Sequence, residues 1–300
     1  MLLLRDGSAR GSADLQAYVA TSSYFWFRKM HDGRKVTVGD FYAHQRSVFV
    51  QYVPIKELEA PDRELLKAMQ HPLAKGTVAP IFRTIRPGYH PWFVTESEAL
   101  ILARAIEAVL AVCDLMDKDP DLDPWETEDL YPLVKLEEAK DGRQKYLVSE
   151  AEAPRPELTM PVPPAPDTKR IQAIIDRKLP RKGILEVDHF YTLNMIGEKH
   201  SRKACLRIAL AIEAKTAVAL PPELGSPQES TGEILQRLVL GAIEASRAVP
   251  SKIYVRDREC KSLLATLARE LGLEIAVKKS LPALDFAKSE MRAMLGDSEF

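Results

Sequence analysis

Apolar and polar positions in the second half of the chain switch between strand-like and helix-like spacing. Residues 184–191 are rich in β-branched and aromatic side chains, which favours a strand. Residues 206–212 and 216–220 have the same character and predict a hairpin. Ser230 and Glu233 then form a capping-box pattern, and apolar residues at helical spacing follow them. The predicted order up to this point is three strands and a helix.

The alternation continues to the end of the chain. Residues 252–256 predict a fourth strand, and a helix follows it and ends at Gly272, the residue type favoured just past a helix C-terminus. Residues 273–277 predict the last strand and residues 281–295 the last helix. A strand–helix–strand alternation requires parallel strands, whereas the opening hairpin is antiparallel. The order β-β-β-α-β-α-β-α is that of a ribonuclease-H-like α/β domain with a mixed five-stranded sheet.

The first half of the chain mixes short strands with one long helix. Residues 24–30 and 47–53 are aromatic and β-branched and predict strands of an antiparallel sheet, and residues 77–84 predict another. From Thr95 onward apolar residues recur at helical spacing as far as about residue 116. This half is therefore predicted to be an α+β domain.

A hairpin is predicted after this helix. Residues 131–137 and 144–149 are joined around Asp141 and Gly142, a pair of residues favoured in tight turns. We expect these two strands to complete the sheet of the first domain.

A proline-rich segment separates the two halves. Residues 154–166 contain six prolines in thirteen positions, a composition that favours an extended spacer over a packed element. With 300 residues the chain also exceeds the usual size of one domain. The predicted organisation is a domain at 1–153, a linker at 154–167 and a domain at 168–300.

Composition narrows the function only slightly. The net charge of -1 argues against the extended basic surface that drives non-specific nucleic-acid binding. The three cysteines are odd in number and widely spaced, which suits free thiols in a reducing compartment. No apolar run approaches the roughly 20 residues of a membrane span. We therefore expect a cytoplasmic protein.

One stretch resembles a known motif. Residues 80–83 and 87–93, with 96–99 after them, resemble P-x-F-R-x-x-x-P-G-Y-x-P-W, found in an uncharacterised bacterial family of unknown function. Some proteins of that family are built alongside plasmid- or transposon-associated domains. Their second domain resembles residues 184–291 here. This resemblance implies a fold and names no activity, and the first 20 residues and residues 117–150 lie outside it.

Carboxylates at the corresponding positions of ribonuclease-H-like enzymes hold divalent metal. The first and fourth strands of such a sheet are neighbours, so Asp188 and Asp257 are candidate ligands for Mg²⁺ or Mn²⁺. Glu233 and either Asp285 or Glu290 are candidates to complete the site. Carboxylates that converge in this way raise one another's pKa values when no metal is bound.

Most of these carboxylates also have a structural interpretation. Asp257 is placed to cap a helix, Glu233 completes a capping box, and Asp285 and Glu290 suit a solvated helix face. Asp188 has no such alternative. On its strand it shares a face with Glu186, and two carboxylates on a strand covered on both sides need partners.

The motif of the first domain offers a second candidate site. Arg83, Arg86, Tyr89, His90 and Trp92 surround a proline–glycine turn at the start of the predicted long helix. Guanidinium groups, rings and a helix N-terminus together suit an anion, a nucleobase or a partner protein. The structural alternative is a turn whose rings pack between layers, and the sequence favours that alternative.

Two functions from different classes remain. In the first, the chain is a non-catalytic interaction or regulatory protein that binds a protein partner and needs no cofactor. In the second, it is a Mg²⁺- or Mn²⁺-dependent phosphodiesterase or nuclease that acts on nucleic acid. The sequence favours the first, because nucleic-acid affinity depends mainly on neutralising phosphates and the net charge is balanced. Neither function involves a membrane.

Overall fold

The computed structural model describes residues 2–7, 12–31, 43–74, 76–118, 130–138, 144–152 and 160–295. These residues divide into two compact units. The first unit holds the described residues within 1–32, 45–86 and 91–156, and the second holds those within 33–44, 87–90 and 157–300. The short segment 87–90 thus belongs to the second unit although the residues on both sides of it belong to the first.

The first unit is an antiparallel sheet with helices on both faces. Its elements are β1 Leu2–Gly7, β2 Ser12–Tyr18, α1 Thr21–His31, β3 Ser47–Pro54, a 3-10 turn Ile55–Glu57, α2 Ala60–Ala68, β4 Val78–Ile85, β5 Trp92–Phe93, α3 Glu96–Lys118, β6 Leu130–Glu138 and β7 Gln144–Glu152. The first five strands lie in the order β1-β2-β3-β4-β5 and each pair is antiparallel. The strands predicted near 47–53 and 77–84 and the long helix are all present.

Alternation along the strands sends side chains to the two faces of this sheet. Val48 and Val50 of β3 are buried against Leu102 and Ala105 of α3. On the opposite face Ala79 of β4 packs with a cluster from α2 and the segment before it. Apolar side chains that recur every second residue in β3 therefore pack against apolar side chains that recur at helical spacing in α3, and together they form one core.

The strand predicted at residues 24–30 is wrong, because these residues form α1. The rings of Tyr24 and Phe27 lie one helical turn apart with centroids separated by 6.5 Å. The ring of Phe27 also packs against Tyr18 of β2 at a centroid distance of 5.3 Å. Spacing of i, i+3 lets both rings pack on one side of a helix, and this packing outweighs the strand propensity of aromatic residues.

The hairpin predicted after α3 is present as β6 and β7, but its predicted place is wrong. Within the described chain these two strands pair only with each other and form a separate two-stranded sheet. The hydroxyl of Tyr146 on β7 donates to the carboxylate of Glu107 on α3. The predicted turn residues Asp141 and Gly142 lie outside the described residues.

The second unit has a mixed five-stranded sheet. Its elements are α4 Thr168–Asp176, β8 Ile184–Ile196, β9 Ala204–Glu213, β10 Glu223–Gly225, α5 Thr231–Ser246, β11 Lys252–Val255, α6 Arg258–Leu263, α7 Ala265–Leu271, β12 Glu274–Val277 and α8 Pro282–Leu295. The strand order is β10-β9-β8-β11-β12, in which β8, β9 and β10 are antiparallel and β8, β11 and β12 are parallel. This order and these directions confirm the predicted ribonuclease-H-like topology.

Helices cover this sheet on both faces. On one face α5 and α7 bury a large apolar cluster that includes Leu238, Leu267 and the β8 residue Val187. On the other face Leu284 of α8 and Leu281 just before this helix pack against β8 and β9. Because β8 is the central strand, its residues from Leu185 to Asp188 are buried on both faces of the sheet, whereas Met195 and Ile196 at its far end are exposed.

The third strand of this sheet differs from the prediction. Residues 216–220 contribute only an isolated bridge between Ile212 and Ala219, and β10 takes the place at the edge. The Glu213 carboxylate accepts hydrogen bonds from the backbone amides of Lys215 and Thr216, at 2.9 Å and 2.7 Å. Ala217 has a φ of 54°, a left-handed conformation that interrupts an extended strand.

The proline-rich segment was predicted to be an unpacked spacer, and its described part instead packs on the second unit. The hydroxyl of Ser262 donates to the Pro161 carbonyl at 3.0 Å. The amide of Asp167 donates to the side-chain oxygen of Gln236 at 2.9 Å. A Cβ on Gly232 would lie 2.6 Å from Pro164, so a glycine in α5 permits this close approach.

Among all described residues, no helix is long and apolar enough to cross a bilayer.

Residues 88–90 pair with the start of β9 and so extend the sheet of the second unit. The Cys205 amide donates to the Gly88 carbonyl at 2.8 Å, and Tyr89 bridges Ala204 in antiparallel fashion. Gly88 has a φ of 78°, and a Cβ there would lie 2.8 Å from a carbon of Pro227. Backbone conformation and space therefore both require glycine at this position.

We predict that Gly88→Ala destabilises the second unit by more than the about 1–2 kcal/mol that a left-handed alanine alone costs. The excess comes from the overlap with Pro227. Gly183→Ala is the matched control, because Gly183 has a φ of 79° and the nearest atom to its Cβ would be a Glu213 oxygen at 3.4 Å. Urea unfolding followed by far-ultraviolet circular dichroism measures both losses. Equal losses would show that the contact with Pro227 contributes nothing.

Candidate functional site

Two buried carboxylates lie on the central strand β8. Alternation along the strand points Glu186, Asp188 and Phe190 toward α8, and the exposed fractions of the two acids are 4% and 5%. The parallel register that pairs Val187 with Val255 places Arg256 beside Asp188. The sheet thus brings a basic residue, and not a second acid, next to the candidate ligand.

The Asp188 carboxylate is held by two cations. Nε of Arg256 donates to Oδ2 of Asp188 at 3.0 Å, and Nζ of Lys288 on α8 donates to the same oxygen at 3.1 Å. Oδ1 accepts the backbone amide of His189 at 2.9 Å. Arg256 also donates to Asp285, so one guanidinium joins the two acids. We call Asp188, Arg256, Asp285 and Lys288 the β8–α8 ion-pair network.

The charges of this network balance. Burial disfavours ionised Asp188, but the nearby charge of Lys288 and the hydrogen bond from Arg256 outweigh it, so the pKa of Asp188 lies below its ordinary 3.8. Burial also opposes the charge of Arg256, but hydrogen bonds to Asp188 and Asp285 raise its pKa. Asp188 is therefore neutralised by protein cations, and its lowered pKa is the opposite of the raised value expected of converging metal ligands.

Glu186 has a separate structural partner. Its Oε2 accepts the backbone amide of Leu284 at 2.9 Å, in the first turn of α8. The first amides of a helix lack partners within the helix, and a negative charge there is stabilised by the helix dipole. The second acid on β8 thus fixes the start of the helix that carries Lys288.

The structure does not bring Asp257 or Glu233 into this network by any hydrogen bond. Asp257 is the N-cap of α6, where its Oδ1 accepts the Cys260 amide at 2.8 Å. Glu233 completes the capping box of α5 by accepting the Ser230 amide at 3.0 Å. Within the described part of the chain, no group of three or more His, Cys, Asp and Glu side chains is placed to hold a metal ion.

A thiol close to these acids is not activated. Cys260 is 2% exposed, and burial together with the negative charge of Asp257 raises the pKa of its thiol above the ordinary value. Nucleophilic cysteine chemistry requires a thiolate with a lowered pKa. Cys260 therefore has the character of a core residue.

The sequence interpretation missed the roles of both cations of the network, Arg256 and Lys288. Leu284, Lys288 and Met291 recur at i, i+4 and i+7 on α8, and the two apolar members pack on the sheet. A lysine inside such a stripe is a detectable signal, because a buried ammonium requires a carboxylate partner. The stripe marks Lys288 as a cation that needs a buried acid, but local spacing does not identify that acid as Asp188, which lies 100 residues earlier.

In the first unit, the candidate residue Arg83 forms a buried ion pair. Both of its terminal nitrogens donate to the Asp62 carboxylate at 2.7 Å, and the exposed fractions of the two residues are 8% and 3%. Its guanidinium carbon also lies 4.3 Å from the centre of the Phe93 ring. Arg83 therefore fixes α2 to the sheet and leaves little of its charge open to a ligand.

Arg86 and Trp92 also have local contacts. Arg86 pairs with Glu98 of α3 at 2.8 Å, and the Trp92 ring packs edge-on against Phe93 at a centroid distance of 5.2 Å. Burial raises the pKa of Glu98, but the hydrogen bonds from the Thr95 amide and from Arg86 prevail and lower it to about 2. This carboxylate thus orders the start of α3.

Tyr89 and His90, the remaining candidates, lie in the second unit. The Tyr89 hydroxyl accepts a hydrogen bond from the side chain of Gln228. The His90 amide donates to the Lys203 carbonyl at 3.0 Å. Both residues thus bond to other residues of the second unit, so the five candidates of the motif are divided between the two units.

Comparisons with known families assign both halves to domains without an established function. Residues 7–132 match the model of a domain of unknown function, DUF7309. Residues 171–292 match that of another, DUF6930. A search of curated proteins gave no significant match. The chain therefore combines two domains of unknown function, of which the second has ribonuclease-H-like topology.

Solved structures similar to the chain include an integrase core domain and a strand transfer complex. The catalytic core domain of BIV integrase is 16% identical, over 39% of this chain and 74% of that one, with a TM-score of 0.28. A chain of the Mos1 strand transfer complex is 11% identical, over 49% of this chain and 54% of that one, with a TM-score of 0.27. At these scores neither similarity bears on activity, and the fold assignment rests on strand order and direction.

We predict that Asp188→Asn lowers the free energy of unfolding by about 3 kcal/mol, because it leaves the mostly buried Lys288 without its charged partner. The pKa of Asp188 is lowered in the folded state, so its contribution is present above its ordinary pKa and is lost as the pH falls through the lowered value. The difference between wild type and variant should be constant from pH 7 to about 5 and shrink toward pH 3.

Urea unfolding followed by circular dichroism at these pH values measures the difference. Lys252→Met is the control, because Lys252 pairs with the 64% exposed side chain of Glu274 and should cost no more than about 1 kcal/mol. A difference for Asp188→Asn that grows on acidification would contradict the assigned network.

We predict that Arg83→Met costs the first unit about 3–5 kcal/mol, because Asp62 stays buried and loses its cation. The double variant Arg83→Met, Asp62→Leu should cost less than the sum of the two single losses. Arg86→Met is the control, since its side chain is 46% exposed. Tryptophan fluorescence during urea unfolding measures these losses, because all three tryptophans precede residue 126. Strict additivity would show that the two side chains do not interact.

Proposed function

We propose that the chain is a non-catalytic interaction or regulatory protein in which a ribonuclease-H-like domain serves as a scaffold. The observation that supports this most directly is the β8–α8 ion-pair network. A divalent ion at Asp188 would have to compete with Arg256 and Lys288, which already occupy its carboxylate at hydrogen-bond distance. Two positive charges at the ligand also repel an incoming cation.

The other carboxylates support the same proposal. Asp257 and Glu233 are engaged in helix caps, and Asp285 is bonded to Arg256. Each acid thus has a local stabilising role that a metal would have to disrupt. We propose that the chain requires no cofactor and that its partner is a protein. Metal and nucleic acid belong to the alternative, a phosphodiesterase of ribonuclease-H-like type, which no contact of these residues favours.

We also propose that the two domains belong together in one bacterial family. The motif from Pro80 to Trp92 lies within the range 7–132 of the first family match. Asp188 and Arg256 lie within the range 171–292 of the second. The three cysteines of the chain are free thiols, which supports a reducing compartment such as the cytoplasm.

The proposal predicts that millimolar Mn²⁺ leaves the melting temperature of the wild-type chain unchanged. A catalytic site that binds the ion with a dissociation constant one hundredfold below its concentration would gain about 2.7 kcal/mol, a shift of several degrees. Thermal melts of wild type and Asp188→Asn with and without Mn²⁺ measure this. A rise in wild type that Asp188→Asn abolishes would overturn the proposal in favour of the metal-dependent enzyme.

The double variant Arg256→Gln, Lys288→Gln extends this test. It removes both cations and leaves three acids, Glu186, Asp188 and Asp285, on β8 and α8. If the cations are what exclude the metal, the double variant should respond to Mn²⁺ although wild type does not. Its circular dichroism spectrum without metal shows whether it is folded and can be compared.

A further inference from the structure

A groove lies beside the edge strand of the second unit's sheet. It is enclosed by β12, by helices α6 and α7, and by Met160 of the proline-rich segment, and its volume is about 550 Å³. The lining residues are Met160, Arg258, Lys261, Ser262, Ala265, Ala268, Leu273, Ile275 and Val277. None of these lining residues carries a carboxylate, and most of them are apolar.

The backbone of β12 offers hydrogen bonds along this groove. The Lys278 amide donates to the Val255 carbonyl of β11 at 2.8 Å. Successive residues of a strand direct their backbone groups to opposite edges, so the N–H and C=O groups of Ile275 and Val277 point away from β11. No described strand pairs with that side of β12. Such an edge is a template for an added strand.

The side chains along this edge are open to an apolar occupant. Val277 is 40% exposed and Met160 is 52% exposed. Across the groove, Ala265 and Ala268 are small and leave room beneath an added strand. Alternate side chains of that strand would point into the groove and bury apolar surface there.

The charge of the groove selects among apolar occupants. Arg258 and Lys261 are exposed at the start of α6, and neither forms an ion pair with another described side chain. The parallel strands β11 and β12 end on the same side of the sheet, so these cations lie near the Val277 end of β12. An occupant with a carboxylate at that end would gain charge-assisted hydrogen bonds.

We propose that this groove binds an extended segment of a partner protein that adds to the sheet as a strand along β12. The segment alternates apolar residues into the groove and carries acidic residues at the end next to Arg258 and Lys261. This inference rests on the proposed interaction function and names its surface and the chemistry of its partner.

A second copy of the chain fits the groove less well. Antiparallel pairing of two β12 strands would place Ile275 and Val277 of the other copy on the groove side. The one carboxylate of the strand, Glu274, lies on the opposite face and already pairs with Lys252 at 2.6 Å. The cations of the groove would gain no partner from that arrangement.

Binding of labelled strand-forming peptides to the full chain tests the proposal. The probes are eight-residue peptides of alternating valine and threonine that end in two glutamates, in two lysines, or in two glutamates with prolines replacing the threonines. Fluorescence anisotropy should show at least tenfold tighter binding of the first peptide than of either other, and added salt should weaken it. Equal binding of the three, or no binding of the first at about 1 mM, a concentration equivalent to only about 4 kcal/mol, overturns the proposal.

Two variants locate the binding. Val277→Pro removes an amide that faces the open edge, where proline is tolerated, and should weaken binding of the first peptide at least tenfold. Val277→Thr keeps that amide and is its matched control. The double variant Arg258→Glu, Lys261→Glu changes only exposed side chains and should reverse the preference toward the lysine peptide. Unchanged binding in both the proline and the double-glutamate variants overturns the proposal.

Light scattering tests whether a second copy of the chain, and not a partner segment, pairs with β12. A dimer of the wild-type chain that Val277→Pro dissociates would show that a second copy occupies β12, and would overturn the peptide proposal. The Mn²⁺ melts test the proposed function independently of these measurements. A chain that binds neither the peptides nor Mn²⁺ refutes the groove alone, whereas a chain that binds Mn²⁺ through Asp188 refutes the non-catalytic function.

Discussion

Neutralisation of two carboxylates buried on β8 is the constraint on which the second unit depends. An ionised carboxylate cannot stay away from water without partners. Glu186 accepts the Leu284 amide in the first turn of α8, and Asp188 pairs with Lys288 of the same helix and with Arg256 at the end of β11. These acids therefore determine where α8 lies, and α8 in turn closes the apolar cluster on its face of the sheet.

The same principle organises the first unit. Arg83 belongs to the sequence motif, and its partner Asp62 lies twenty-one residues earlier, in the first turn of α2. The pair joins a helix to a strand inside the protein. Arg83, a motif residue that invites a binding interpretation, thus holds two elements of the first unit together.

Local patterns predicted most of the fold and little of the site. Long periodic segments such as α3 and α5, and the alternation after residue 230, fixed the element order because their spacing depends only on neighbours in sequence. The strand predicted at 24–30 failed because ring packing against Tyr18 is a tertiary effect. Asp188 was identified as a buried acid without an explanation, but its partners Arg256 and Lys288 are 68 and 100 residues away, beyond any local pattern.

The place of segment 87–90 affects how this protein can be divided. A fragment that begins at the proline-rich segment keeps all five strands of the second sheet but lacks Gly88 and Tyr89, which pair with β9 at Ala204 and Cys205. The backbone groups of Ala204 and Cys205 would then be exposed at a new sheet edge. Beside them lies the surface of Pro227, against which Gly88 packs closely in the intact chain. The isolated second domain would therefore have one more unpaired sheet edge, able to pair with another chain, than the intact chain has.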